Sequence, residues 1–152
     1  MTALVPDMMP FSSSLGLNMI QSEKAGVVAE LVVNEALCTT GRIMHGGAVM
    51  AVADTLGAIG AFLNLPEGHK TTTTIESKTN FLRSAPRDSK VVAECLPLHV
   101  GRRMSVWQTT LRNEEGKSIA ATLVFIKHIK QANVLKNILT IFRVIFVIGF
   151  HI

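Results

Sequence analysis

One segment, residues 46–63, constrains the fold of this chain more than any other. Its sequence, GGAVMAVADTLGAIGAFL, is apolar on every face, and Asp54 is its one charged side chain. A helix that is apolar all round is typical of a buried core position. At about 1.5 Å per residue the helix would be roughly 27 Å long, close to the thickness of a bilayer, but a carboxylate in its middle argues against a membrane span. We therefore expect one long buried helix and no membrane partner.

Segments rich in β-branched residues surround this helix in the sequence. One precedes it and several follow it, with turn formers and short connections between them. Short connections favour antiparallel pairing, and a single helix must then cover the whole sheet. The expected architecture is an α+β domain in which a curved antiparallel sheet wraps around one long central helix, which is the hotdog fold. The predicted elements are a short helix at 10–17 and strands at 26–37, 71–85, 91–100 and 104–129, the last a hairpin that turns at 113–116.

Length and composition indicate one folded domain and favour neither a nucleic-acid-binding, a zinc-binding nor a disulfide-rich protein. A chain of 152 residues with 48% apolar and 17% charged residues suits a single domain and excludes a disordered chain. The net charge of +4 comes from scattered basic residues without aromatic interleaving, so we expect no nucleic-acid partner. Cys38 and Cys95 lack CxxC spacing, which favours neither a zinc site nor a disulfide. The N-terminus lacks a secretory pattern, and a cytoplasmic location is therefore expected.

The position of Asp54 is unfavourable for folding, because burying an unpaired carboxylate in an apolar helix costs several kcal/mol of free energy or more. Its position alone leaves two interpretations open: a structural residue bonded to backbone or water, or a residue at a cleft where its charge is used. His45, Gly46 and Gly47 begin the same helix, where first-turn N–H groups lack intrahelical partners. Such donors can hold a developing oxyanion, and two glycines let a ligand approach the main chain. A plain turn with a hydrogen-bonded His is the alternative.

The spacing between His45 and Asp54 predicts that one subunit does not contain the whole site. Nine residues at about 100° each place the two side chains on opposite faces of the helix, about two and a half turns apart. A two-fold dimer would close this gap by presenting Asp54 of one subunit beside the glycine turn of its partner. We therefore expect a homodimer with two composite sites, and a dimer of dimers (a homotetramer) as its further assembly.

Three motifs follow one another along the chain: GRIMHGGAVMAVADTLGAIGA at 41–61, NFLRSAP at 80–86 and HVGRRMSVWQTTLRNEEGKSIAA at 99–121. Their order and spacing resemble the hotdog acyl-CoA thioesterases of the PaaI-like, phenylacetate-degradation type, and the resemblance covers residues 10 to about 129. It implies hydrolysis of an acyl-CoA thioester to free acid and CoA, without a metal or a redox cofactor. The coenzyme A would be part of the substrate.

The resemblance also implies roles for individual residues. Asp54 matches the catalytic carboxylate of the family, acting as general base or nucleophile, and the Gly47 N–H matches the group that polarises the thioester carbonyl. His45 would orient the thioester. Thr74, with Thr73 beside it, falls where the family often carries a hydroxyl that positions the attacking water.

The substrate-binding candidates include one departure from the family pattern. Many members carry an Asn at the position of Thr39, and a Thr offers only a hydroxyl there. The phosphates of CoA call for basic side chains, and Arg can grip a phosphate with a bidentate fork. The candidates are Thr39, Gly46, Thr73, Arg83, Arg102 and Arg103, with Lys78 and Arg87 near enough in sequence to compete.

The chain divides at residue 130 into a hotdog thioesterase domain, 1–130, and an atypical apolar C-terminal extension, 131–152. The resemblance does not explain the extension, for which we expect packing on the sheet or at a subunit contact; an altered reading frame at the end of the gene is the alternative. Two other functions stay open for the domain. One is a hotdog enoyl-CoA hydratase or dehydratase, and the other is a non-catalytic module that binds acyl-CoA.

Overall fold

The structure, a computed structural model that describes residues 9–130, is built around one helix. That helix spans Gly46–Leu63, as predicted, and it contacts all six strands of a single sheet. Its length and apolar composition would suffice to cross a membrane, but half of it is buried inside the protein, as expected of a core helix. The elements are α1 (Pro10–Ser14), β1 (Asn18–Glu23), β2 (Gly26–Val32), a 3-10 turn (Glu35–Leu37), α2 (Gly46–Leu63), β3 (His69–Phe81), β4 (Lys90–Val100), β5 (Met104–Asn113) and β6 (Ser118–Lys130).

The sheet is antiparallel throughout, with the strand order β1-β2-β4-β5-β6-β3. The predicted α+β architecture, one antiparallel sheet around one helix, is therefore confirmed. Within the described residues β3 pairs with β6 alone, so β3 forms one edge of the sheet and β1 forms the other. The hairpin between β5 and β6 turns where predicted, and Gly116 takes the left-handed conformation there with a φ of 77°.

Trp107 belongs to the hydrophobic core. Its side chain is fully buried on β5 and lies against Gly60 of α2, where an added Cβ would stand only 2.6 Å from the ring. The indole Nε1–H donates a hydrogen bond to Ser105 Oγ at 2.9 Å, and Ser105 Oγ lies 3.0 Å from Nε2 of the buried His128. A glycine at position 60 therefore lets the helix and the sheet approach closely enough to enclose the indole.

Near the N-terminus one predicted strand ends too late and one strand was not predicted. The segment 26–37 is not one strand, because β2 ends at Val32 and the chain then forms the 3-10 turn. Asn34 explains the change, since its Oδ1 accepts a hydrogen bond from the N–H of Leu37 at 3.2 Å and so caps that turn. The strand β1 was not predicted, because its residues are all exposed or half-buried and show no apolar alternation.

Other boundaries shift by a few residues. The predicted helix 10–17 ends at Ser14, and Gly16 follows with a φ of 70°. The predicted strand 71–85 begins at His69 and ends at Phe81, because the N–H groups of the next two residues both turn to the carbonyl of Ile119. The predictions for the extension 131–152 lie outside the described residues.

The burial of α2 is one-sided in the described residues. Met50 and Phe62 are 38% and 55% exposed, although the other half of the helix is enclosed. The reason is geometric: the sheet covers one side of the helix, and among the described residues only the short α1 lies over part of the opposite side. Apolar composition alone does not distinguish a surface buried in the protomer from one left open.

His128 makes the stability of the fold depend on pH. Burial lowers its pKa below the ordinary value of 6.5, the nearby His69 lowers it further, and the backbone of Arg102 acts in the opposite direction. Because the folded-state pKa is the lower one, the unfolded chain binds the proton more readily. Stability is therefore fully present above about pH 6.5 and falls as the pH drops below it.

Urea denaturation of His128→Gln and of the wild type at pH 7.5 and pH 5.5 tests this dependence. We expect the wild type to lose free energy of unfolding at the lower pH, and the variant to lose less. His99→Gln, at an exposed position, is the matched control and should behave as the wild type. An equal pH dependence in wild type and His128→Gln would show that this histidine is not the cause.

Candidate active site

Asp54 lies in the middle of α2 and is held by a residue of the edge strand. It is half-buried, and its Oδ1 accepts a hydrogen bond from Thr74 Oγ1 of β3 at 2.8 Å. Among the described residues no Lys, Arg or His lies within ion-pair distance of the carboxylate. The carboxylate thus has one neutral donor and no counter-charge among the described residues, which suits a base or a nucleophile more than a structural ion pair.

Asp54 opens onto a cleft of about 260 Å³ between α1 and α2. Apart from the carboxylate, the cleft is mostly apolar, and its polar groups are two hydroxyls that contact each other. The lining residues are Met9, Pro10, Phe11, Ser12, Ala51, Asp54, Thr55 and Ala58. An apolar cleft with one convergent charged group is the usual form of a site for an apolar substrate that carries one reacting group.

The register of β3 distinguishes the two threonines that the sequence analysis could not separate. Thr74 pairs with the buried Ile126, so its side chain lies on the face of the sheet that covers α2. Thr73 pairs with the exposed Lys127 and lies on the opposite face, because successive side chains of a strand alternate. The structure therefore brings Thr74 to Asp54 and does not bring Thr73 there.

His45 caps the N-terminus of α2 with its own ring. Its Nδ1 accepts a hydrogen bond from the Gly47 N–H at 2.8 Å, which leaves the proton of a neutral ring on Nε2. The His45 carbonyl accepts from the N–H groups of Ala48 and Val49. Among the first-turn amides, the Gly46 N–H is then the one without an acceptor in the described part of the chain. Only the tertiary structure reveals this difference between the two glycines.

Gly46 opens onto a second cleft, of about 460 Å³, which contains three of the substrate-binding candidates. The ring of Phe81 would lie 3.3 Å from a Cβ at Gly46, and Thr39 and Arg83 line the same space. Thr39 Oγ1 accepts a hydrogen bond from the Gly41 N–H at 3.2 Å, so this hydroxyl also orders its own loop. The two clefts share no lining residue, so Asp54 and the Gly46 amide face different spaces in one subunit.

The candidate arginines also lie apart. Arg83 follows β3, and its N–H donates to the carbonyl of Ile119 at the start of β6. Arg103, beside Arg102, lies in the β4–β5 connection, and its carbonyl accepts from the N–H of His128 near the end of β6. At about 3.3 Å per residue these ends of β6 are roughly 30 Å apart, so one subunit does not bring the three guanidinium groups together.

Cys95 is excluded as a nucleophile by its environment. The side chain is fully buried on β4, and burial raises the pKa of its thiol to about 11. A thiol with that pKa stays protonated at neutral pH and is a poor nucleophile. The carboxylate of Asp54 therefore remains the main candidate for the reacting group.

An antiparallel sheet around a central helix, with a carboxylate in the middle of the helix and a glycine turn at its start, defines a hotdog-fold enzyme. Comparison with known proteins gives the family. A family model described as the thioesterase superfamily matches residues 41–120, which is more than half of the chain. This protein belongs to that superfamily and is a thioester hydrolase.

Individual relatives agree with the family. The proofreading thioesterase EntH of Klebsiella pneumoniae is 32% identical over 104 residues, which is 68% of this chain and 74% of that protein. The 1,4-dihydroxy-2-naphthoyl-CoA hydrolase of Escherichia coli K12 is 36% identical over 75 residues, covering 49% of this chain and 54% of the relative. A crystal structure of a thioesterase from Haemophilus influenzae superposes with a TM-score of 0.71 at 30% identity, over 78% of this chain and 81% of that one.

Proposed function

We propose that this protein is an acyl-CoA thioesterase of the PaaI-like type, which hydrolyses an acyl-CoA to a free acid and CoA. The observation that carries the proposal is the Asp54 carboxylate, which lies on the central helix with one Thr74 hydrogen bond and, among the described residues, no cation beside it. Its cleft is otherwise mostly apolar, which suits an acyl group. The relative from Escherichia coli that acts on a CoA thioester by name supports this choice of substrate class.

In the proposed reaction Asp54 activates the attack on the thioester carbonyl. As a general base it takes a proton from a water molecule, whose oxygen attacks the carbonyl carbon; as a nucleophile it attacks that carbon itself, and water then hydrolyses the mixed anhydride. In both routes the C–S bond breaks, the thiolate of CoA leaves, and a proton from the water ends on sulfur. Thr74 holds one carboxylate oxygen, which orients the other toward the reacting atoms.

The carbonyl oxygen becomes negative during the attack and requires fixed donors. We assign this role to the first turn of α2, where the helix dipole and the glycine amides provide positive potential. Gly46 offers an N–H that has no acceptor among residues 9–130, whereas the Gly47 N–H is held by His45 and must exchange that bond to reach a substrate. His45 Nε2–H would then face the thioester as a further donor. Arg83, Arg102 and Arg103 are assigned to the phosphates of CoA.

This mechanism requires a second subunit, and β3 provides the surface for it. On β3, Thr74 lies beside Asp54, and Phe81 lies beside Gly46. If two copies pair their β3 edges antiparallel, a two-fold axis between these two positions brings the glycine turn of each subunit to the Asp54 of the other. Both helices stay on one face of the continuous sheet. Ser77, between the two positions, has a buried Oγ without a partner in the described residues.

A charge at the β3 edge should separate the subunits. Ile75 is 57% exposed on that edge, and Ile75→Lys would replace an apolar side chain by a charge that the pairing of the two edges would have to desolvate. We expect light scattering to show a dimer for the wild type and a monomer for the variant at micromolar concentration, with kcat/KM reduced by about tenfold or more. Ile20→Lys, on the opposite edge at 52% exposure, should change neither property. An active wild-type monomer would contradict the composite site.

The function itself is tested by thiol release. Purified protein is incubated in parallel with a panel of acyl-CoA thioesters and with an enoyl-CoA, and free CoA is measured with a thiol reagent. We expect thiol release from acyl-CoA, and no hydration of the enoyl double bond. Hydration without thiol release would favour the hydratase, whereas binding without turnover of any thioester would favour the acyl-CoA-binding module.

A further inference from the structure

We propose that α1 forms the wall of the acyl-binding cleft, and that the hydrogen bond between Ser12 and Thr55 sets the length of acyl chain the enzyme accepts. The proposal rests on the proposed function, because it identifies the cleft beside Asp54 as the place of the acyl group. It assigns Ser12 and Thr55 as positioning residues, since they hold the wall and do not touch the reacting atoms.

The cleft follows one face of α2 on both sides of the carboxylate. Its residues from that helix are spaced by three, four and seven positions, which is one continuous stripe: Ala51, Asp54, Thr55 and Ala58. Ala51 and Ala58 carry the smallest side chains of any residue except glycine. Their methyl groups leave room for a ligand next to the carboxylate, and a larger residue at either position would fill that room.

The lining chemistry indicates an unsubstituted hydrocarbon acyl group. Met9 and Phe11 provide the opposite wall, and Phe11 is 66% exposed at the rim. Ser12 and Thr55 are the polar members besides Asp54, and their hydroxyl oxygens contact each other at 3.1 Å. One of these hydroxyls donates to the other, so both are engaged in this contact, and Asp54 is the remaining polar side chain among the described residues that line the cleft.

The hydrogen bond is the polar contact that holds α1 against α2, beside the apolar packing of Met9 and Leu15 at the two ends of α1. The side chains of Ser12 and Thr55 are both buried, and the two residues are 43 positions apart in the sequence. A helix of five residues without a side-chain N-cap does not hold its position by itself, so its placement depends on tertiary contacts. Without this bond α1 can move away from α2, and the cleft then admits a longer chain.

The test compares substrate preference, which a merely structural role would not change. For each variant, kcat/KM is measured with acetyl-CoA and with decanoyl-CoA. Thr55→Val keeps the shape and removes the hydroxyl, and Ser12→Ala removes its partner. We expect both variants to raise the ratio of decanoyl to acetyl activity by about fivefold, the factor that corresponds to one net hydrogen bond. Thr55→Ser retains the hydroxyl, is the matched control, and should leave the ratio as in the wild type.

A second variant changes the cleft in the opposite direction. Ala58→Leu adds bulk to the stripe, and we expect it to lower the same ratio by about tenfold. Equal losses for both substrates, or an unchanged ratio in Thr55→Val and Ser12→Ala, would overturn the proposal while hydrolysis by the wild type still supported the function. If the wild type releases no thiol, the proposed function fails, and the cleft is then tested by calorimetry. Binding of acetyl-CoA and decanoyl-CoA is measured for Asp54→Asn with and without Ala58→Leu. A decanoyl-CoA affinity that Ala58→Leu leaves unchanged would overturn the assignment of the cleft to the acyl group.

Discussion

Asp54→Asn should lower thioester hydrolysis by roughly 10³-fold, within the range of about 10² to 10⁴ that a positioned general base contributes. The amide has nearly the same shape, and its oxygen can still accept the Thr74 hydrogen bond, so the local structure should persist. The amide has neither the negative charge to take a proton nor the nucleophilicity to attack a carbonyl carbon. The loss should therefore appear in kcat, measured by thiol release under saturating acyl-CoA.

Two controls separate a chemical effect from a structural one. Glu94→Gln neutralises an exposed carboxylate on β4 and should leave kcat as in the wild type. Asp54→Asn should have the same mass in solution as the wild type, measured by light scattering, and the same affinity for the acyl-CoA, measured by calorimetry. A near-normal kcat in Asp54→Asn would refute the proposed mechanism, because that mechanism assigns the attack on the thioester to Asp54.

Trp107→Ala should cost about 3–5 kcal/mol of the free energy of unfolding, the usual cost of removing a large buried aromatic side chain. The indole is the largest fully buried side chain among the described residues, and it fills the space that Gly60 leaves between α2 and the sheet. Its removal would also leave Ser105 Oγ without its Nε1–H donor. Since domains are stable by only about 5–15 kcal/mol, the variant should be close to unfolding at ambient temperature.

Urea denaturation followed by far-UV circular dichroism measures this effect, because Trp107 is the only tryptophan of the chain and fluorescence disappears with it. Trp107→Phe is the matched comparison: it keeps most of the apolar volume and loses the hydrogen bond, so it should cost about 1–3 kcal/mol. Equal stability of the Ala variant and the wild type would mean that the indole does not support the packing of α2.

The sequence predicted the helices and strands best where one physical requirement dominates a segment. The bounds of α2 follow from an unbroken apolar run that begins at paired glycines, and the four later strands follow from β-branched runs with clear turns. The sequence was less informative where local signals are weak or compete. β1 shows no alternation of apolar residues, and Asn34 ends β2 by capping the next turn with its side chain.

The candidate site shows the same division. The sequence indicated Asp54 because a charge in an apolar helix is costly, and it indicated the glycine turn because helix N-termini carry free donors. It could not separate Thr73 from Thr74, since that choice depends on the register of β3 against β6. It also could not show that His45 occupies the Gly47 amide.

The sequence by itself therefore determined the central helix, the antiparallel strands after it and the choice of Asp54 as the candidate reacting carboxylate, because each depends on residue type and short-range spacing. The tertiary structure alone decided which threonine reaches Asp54, which first-turn amide is unoccupied and which edge of the sheet is open. These properties depend on how distant segments pair and pack. A residue 20 positions away in the chain can lie at hydrogen-bond distance, and nothing local in the sequence encodes that contact.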